Sequence, residues 1–480
     1  MSQRKARIAV LGAGWWSQGW HLPHLSRHPE AEIVAIVEPN PHPRSAINEL
    51  ESTAALGERY GCPVFSSLAD ALASPLRLDG LLVCTSHASH FELGIAGLRA
   101  GLHVLMEKPM TTDPEEALGL AAAAAAAERD RGLAFLINNT ANYRAQSRAA
   151  AALVRERRRV GRVQHVQCCM HSALLWLFDD PSNEGWTRST GRMSGNGFGW
   201  GQLSHLLAFV FHVGGLCPTH AFAHTTLSER SGADLSVAAV ITCSNGASIA
   251  LSGSAAVPGN AHEAAGGQLG KYVSARFFGD EGMAVYEGYD QQPDSGRLQF
   301  SCLEAEDAHL YPNERSRGQA FNCIQPYSAV HTWVRSSSYT RGALHTRHNS
   351  VLPPSRWRIF PPRYHHTTHG SEPTLDSIPW RYGTRRLSRR AGGLDADDEA
   401  ALASAASFAF ENYDQAGTGP ESLCSFVDAC LGREHYVGAG AVVGLAVVRA
   451  IDAMYRSARS GRLEACAPGE GAGIVGGEAG

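Results

Sequence analysis

Over the first 140 residues, short apolar runs alternate with helical segments, the pattern of a parallel sheet covered by helices on both faces. The runs fall at 7–12 (RIAVLG), 32–38 (EIVAIVE), 62–67 (CPVFSS), 80–86 (GLLVCTS), 103–107 (HVLME) and 134–139 (AFLINN). Between the last two, 114–128 has the start signals of a helix: Asp113 as N-cap, Pro114 in the first position, and Glu115 and Glu116 in the first turn. From about 162 the strands become longer and alternate apolar with polar positions, beginning with RVQHVQCCMH at 162–171. This predicts one large, mostly antiparallel sheet with an open face. A helix over about 201–213 interrupts it, and helical patterns return at 421–431 and 440–458.

The expected architecture is therefore α/β: a parallel-sheet domain over 5–140, then an α+β domain over 141–313 plus 400–465. Residues 314–392 fit neither pattern, with 13 arginines, no lysine, 3 acids and 6 histidines. They read as a disordered insertion, and 466–480 as a flexible tail.

A formal net charge of −4 over 480 residues gives no global basic excess to recruit nucleic acid. No apolar run reaches the roughly 18 residues that span a bilayer, and the N-terminus lacks the apolar segment of a secretory signal. Eleven cysteines without a C-x-x-C pair suit a reducing compartment, so a cytoplasmic location is expected. Cys168 and Cys169 are adjacent in a strand and should face opposite ways as packing residues; no metal site is expected. Arginine has displaced lysine almost everywhere: only Lys5, Lys108 and Lys271 remain.

The first run ends in GAGWWS, with Gly12, Gly14 and Ser17 in the G-x-G-x-x-G/A positions of a strand-to-helix turn. There Gly12 permits the tight turn, and Gly14 lets backbone approach a pyrophosphate, as in a Rossmann dinucleotide-binding fold. Ala13, Trp15 and Trp16 belong to the same candidate cofactor loop. Glu38 ends the second run, where an acid accepts ribose hydroxyls and repels a 2′-phosphate. NAD is the expected cofactor, with NADP left open by nearby Arg44. Thr85 and Ser86 end the fourth run, and Glu107 and Lys108 the fifth, all at the rim where such sheets bind ligands.

GAGWWS, the acid at 38, His90 and above all HVLMEKP resemble the Gfo/Idh/MocA oxidoreductase family over roughly 5–305, resuming near 405–465. The resemblance implies an NAD(P)-dependent oxidoreductase acting on a sugar, cyclitol or related polyol, with Lys108 where nicotinamide and substrate hydroxyl meet. An amine whose pKa is lowered by partial desolvation and a nearby nicotinamide can take the hydroxyl proton. The family's second-domain histidine matches His205, but the carboxylate position one turn earlier is Gly201, with Gln202 beside it. His21 and His24 read as structural or rim residues. Two alternatives stand beside the dehydrogenase: an NAD-retaining glycosidase of the same superfamily, and a dinucleotide-sensing regulator. The expected partner is a small sugar or polyol, with a homodimer formed through the open sheet face.

Overall fold

The first apolar runs become β1 (Ala6–Leu11), β2 (Ala31–Val37), β3 (Val64–Phe65), β4 (Gly80–Val83), β5 (His103–Met106) and β6 (Phe135–Ile137). All pair in parallel, in the order β3-β2-β1-β4-β5-β6. The order reverses between β1 and β4, which opens a crevice at the carboxyl ends of the strands. In this computed structural model, residues 4–257, 271–289, 297–302 and 421–467 are described, and all of them belong to one compact unit. The expected insertion at 314–392 lies outside the described residues, as does 468–480.

The helices between these strands form where polar caps meet apolar faces. Asp113 accepts hydrogen bonds from the Glu115 and Glu116 N–H groups at 2.7 and 3.2 Å. The alanine-rich helix that follows, Pro114–Arg131, buries Ala117, Leu120, Ala124 and Ala127. Ser52 and Ser67 cap the shorter helices Thr53–Tyr60 and Leu68–Ala73 in the same way.

The second sheet has eight strands: β7 (Val163–His171), β8 (Pro218–Leu227), β9 (Asp234–Cys243), β10 (Ser248–Ser254), β11 (Tyr272–Gly279), β12 (Gly282–Tyr289), β13 (Arg297–Cys302) and β14 (Glu464–Ala465). Their order is β13-β12-β11-β7-β10-β9-β8-β14, and only β7 and β10 pair in parallel. Along β9, Val237, Ala239 and Ile241 are buried while Val240 is 48% exposed. One face is therefore core and the other open, with buried Cys168 and half-buried Cys169 on opposite sides as the alternation requires. The two-residue β14 is too short to show in the sequence pattern. Cys466, which composition assigns to the tail, is instead buried and donates its N–H to the Thr219 carbonyl at 2.8 Å.

The helix Ser204–Gly214 lies on the buried face, Phe209 meeting Phe277 and Tyr286. The helix Ala441–Ser460 packs both on β8 and on the helix Pro114–Arg131, joining the two sheets. The preceding helix, Glu421–Cys430, contributes Leu423, Phe426, Val427 and Cys430 to the core of the first sheet. The C-terminal segment, grouped by its sequence with the second domain, thus packs on both.

The segment 195–201, which runs into the helical turn Gly199–Leu203, is tied to this scaffold by buried Asp234, which accepts from the Gly199 N–H at 2.8 Å and from the Tyr455 hydroxyl at 2.5 Å. Side chains at Gly195 or Gly199 would strike the Tyr455 ring or hydroxyl. Burial raises the Asp234 carboxyl from 3.8 to about 6, only partly opposed by the hydrogen bonds from Tyr455 and Gly199. The folded state therefore binds this proton more tightly than the unfolded chain. The linked stability, about 3 kcal/mol, is full below pH ~4 and lost as pH rises through ~6. In urea unfolding between those pH values, wild type should lose roughly that amount relative to Asp234→Asn; parallel pH profiles would refute the assignment.

Candidate active site

Gly12, immediately after β1, adopts φ +91°, and a Cβ there would collide with the Cys84 carbonyl oxygen. Only glycine fits the turn. Nothing lies within 4 Å of the position a Gly14 Cβ would take, so backbone there is open to a close-approaching ligand. Buried Ala13 donates its N–H to Glu38 Oε2 at 3.0 Å, and the Asn40 N–H reaches Oε1 at 2.9 Å. Each Glu38 oxygen keeps a second lone pair for a ribose hydroxyl. These features fit a dinucleotide, with Trp15, Trp16 and Arg44 lining the same cleft.

Behind the turn sits Glu107, at the end of β5 and 8% exposed. Its Oε1 accepts from Trp16 Nε1 (3.0 Å), His21 Nε2 (2.8 Å) and Asn138 Nδ2 (2.6 Å), and its Oε2 from the Lys108 N–H (3.1 Å). Burial alone would raise this carboxyl. The His21 hydrogen bond and charge, the Lys108 charge and the Asn138 amide outweigh it and hold Glu107 below the usual carboxylate range. Sequence selected Glu107 and Trp16 but missed their contact. Of the structural and rim readings of His21, its full burial fits the structural one; the sequence did not show that Glu107 is its partner.

Lys108 crosses to the second domain. Its Nζ donates to the Gly201 carbonyl oxygen at 3.0 Å and lies 5.0 Å from the centre of the Trp186 ring. A Cβ at Gly201 would lie 2.6 Å from Phe178 Cζ. The carboxylate that the family resemblance leads one to expect there has no room, and a carbonyl and a ring face take its place beside the lysine. His205 is half-buried in the first turn of the Ser204–Gly214 helix and lines the same cleft. Asn139 and Asn142 hold that helix, donating to the Ser204 and Ala208 carbonyls at 3.5 and 3.1 Å.

Thr85 and Ser86 line the cleft above β4. His90 is fully buried, and its ring nitrogens meet the Pro109 and Thr85 carbonyls at 2.9 and 3.2 Å. It bridges the ends of β4 and β5 and also lines the cleft, where the sequence placed it as a cofactor contact. Half-buried His87 packs edge-on against Trp186; burial first, then the charges of His90 and Lys108, push its pKa down to about 3.

The cleft encloses about 960 Å³ and brings the sequence-selected glycines, Glu38, Thr85, Ser86, Lys108 and His205 to one wall or another. It adds Arg144, Trp186, Gln202 and Lys271. Of these, Lys271 carried a signal as one of three lysines and Gln202 as the neighbour of the missing carboxylate position; Arg144 and Trp186 carried none. Among the described residues, no three His, Cys, Asp or Glu side chains come together to hold a metal ion, and no helix is long and apolar enough to cross a membrane.

Two family models match the chain: the oxidoreductase family's NAD-binding Rossmann fold over residues 6–133, and the GFO/IDH/MocA C-terminal domain over 147–285. A putative UDP-kanosamine synthase oxidoreductase subunit of Amycolatopsis mediterranei is 30% identical, over 42% of this chain and 51% of its own. The D-glucoside 3-dehydrogenase of Escherichia coli is 28% identical, over 24% of this chain and 31% of its own. The chain thus spans about half the length of the first relative and a third of the second. Among solved structures, the WlbA dehydrogenase of Bordetella pertussis, in complex with NADH and UDP-GlcNAcA, shares the fold. Its TM-score is 0.56 at 18% identity, over 98% of this chain and all of that one.

Glu107→Gln replaces two accepting oxygens with one and turns an NH2 toward a donor. Leaving a buried donor unsatisfied should cost about 1–3 kcal/mol, read as a lower urea midpoint with an unchanged m-value; an unchanged midpoint would show that the carboxylate does not hold the site together.

Proposed function

Because the chain belongs to the Gfo/Idh/MocA oxidoreductase family, with its NAD-binding Rossmann fold, we propose that it oxidises or reduces a carbinol of a sugar, cyclitol or related polyol. In this reading Lys108 is the proton-handling residue. The observation that carries it is the lysine's position: its Nζ reaches the second domain's Gly201 carbonyl from the rim of the dinucleotide-binding sheet.

The bound nicotinamide supplies the hydride acceptor or donor. Gly12, Ala13 and Gly14 hold the pyrophosphate by close backbone approach, and Glu38 accepts the ribose hydroxyls while repelling a 2′-phosphate, which favours NAD over NADP. Lys108 gives one N–H to Gly201 and would take the proton of the substrate hydroxyl on the lone pair of its neutral amine. When that hydroxyl's proton moves to Nζ, the Gly201 carbonyl and the Trp186 ring stabilise the resulting ammonium. His205 hydrogen-bonds the same substrate oxygen from the opposite wall. Glu107 fixes the backbone of Lys108 and the indole of Trp16 together, so cofactor loop and proton acceptor keep their spacing. The open face of the second sheet, where Phe222 and Val240 are each 48% exposed, supports association of two copies through that face. Nine unpaired cysteines among the described residues support a reducing, cytoplasmic setting.

Titration with NADH and then NADPH, followed by energy transfer from Trp15 and Trp16, should saturate with NADH the tighter. Lys108→Ala should then lower the turnover of a polyol by roughly 100-fold or more. Absence of binding to either nucleotide by folded protein would overturn the oxidoreductase reading. Binding with no turnover would favour a sensor, and sugar release without net NADH a glycosidase.

A further inference from the structure

We propose that Trp186 determines which polyols the cleft accepts. Its indole takes the C–H face of a ring, and so selects a pyranose or cyclitol with a face free of axial hydroxyls over open-chain polyols and over rings that carry an axial hydroxyl on each face. The inference rests on the reading of the cleft as a sugar oxidoreductase site and names the class of sugar.

Trp186 is half-buried and lines the cleft. Lys108 Nζ lies 5.0 Å from its ring centre, and the rings of His87 and Phe178 lie 5.5 and 6.5 Å away between centroids. Both neighbouring rings stand at 82° to it, and among the described residues none lies flat on it. A hydroxyl within hydrogen-bond reach of Nζ, roughly 3 Å, is therefore no more than about 8 Å from the same ring centre. The indole thus bounds the space in which the carbon skeleton bearing that hydroxyl must sit.

The glycine at 201 belongs to the same arrangement. A Cβ there would lie 3.5 Å from Trp186 Cε3, besides striking Phe178. Any side chain at 201 would begin in contact with the indole, and glycine leaves the ring uncovered on that side. A carboxylate, which the family resemblance leads one to expect there, recognises hydroxyls by accepting their hydrogen bonds. An aromatic face recognises instead a flat array of C–H groups.

The turn that carries the indole is fastened on both sides. The Trp186 N–H donates to the Asn183 carbonyl at 2.9 Å, and buried Asn183 turns its own amide back to the Trp176 and Leu177 carbonyls at 3.3 and 3.2 Å. Buried Asn196 donates to the Gly185 and Arg188 carbonyls at 3.3 and 2.8 Å, one on each side of the tryptophan. Backbone held this way loses little freedom when a ligand packs on the ring it carries.

A ring polyol with equatorial hydroxyls is polar at its rim and apolar on its faces. Laid on the indole, it removes apolar surface of both partners from water, and its rim hydroxyls stay available to Lys108 and His205. An axial hydroxyl on the stacked face would hold the ring off the indole or be buried without a partner. An open chain has no fixed face and must be ordered before it can pack.

The test is calorimetric titration of the NADH-loaded protein with four neutral probes. Scyllo-inositol and methyl β-D-glucopyranoside have no axial hydroxyl, D-chiro-inositol has one on each face, and sorbitol has no ring. At least one of the first two should bind about 10-fold or more tightly than D-chiro-inositol and sorbitol. Trp186→Leu should remove most of that ratio, and Trp186→Phe should keep most of it. A general loosening of the cleft would weaken all four probes alike and leave the ratio where it was. Equal binding of all four, no binding of either probe without axial hydroxyls, or an undiminished ratio in Trp186→Leu would overturn the inference while NADH binding stands. Failure of wild type to bind NADH would remove the underlying oxidoreductase reading as well.

Discussion

The site depends on one buried carboxylate. Glu107 receives hydrogen bonds from the helix after the glycine turn, through Trp16 and His21; from the end of β6, through Asn138; and from the backbone of Lys108. An ionised group so deep in the protein is stable only when its lone pairs are met by donors, and four of them hold it charged. The same four bonds fix the distance between the cofactor loop and the lysine. One buried carboxylate thereby sets the spacing of the glycine turn and the lysine.

The second domain meets that lysine with a backbone carbonyl and an indole face instead of a carboxylate. Phe178 fills the space that a side chain at 201 would need, so the substitution is a packed arrangement rather than a gap. Behind it, Asp234 and Tyr455 hold the segment whose backbone presents the Gly201 carbonyl. On the second-domain side Lys108 keeps a hydrogen-bond acceptor and a ring face, and on its own side the Glu107 carboxylate.

The sequence by itself determined the two sheets, because apolar period and turn chemistry are local: the Gly12 turn, the acid at the end of β2, the Asp113 cap and the single-faced alternation of β9 need no knowledge of distant residues. It also determined Lys108 and His205 as the residues to follow, through the HVLMEKP run and the histidine after Gly201. What only the tertiary structure decided is which groups meet across long separations. Glu107 and His21 are 86 residues apart, and Lys108 and Gly201 are 93 apart. His90 was placed by its position after β4; that its buried ring lies against the Pro109 and Thr85 carbonyls while it lines the cleft appears only in the fold. Arg144 gave no sign at all, and Gln202 only its place beside Gly201, since burial and orphaned polar atoms belong to the folded arrangement and not to any stretch of chain.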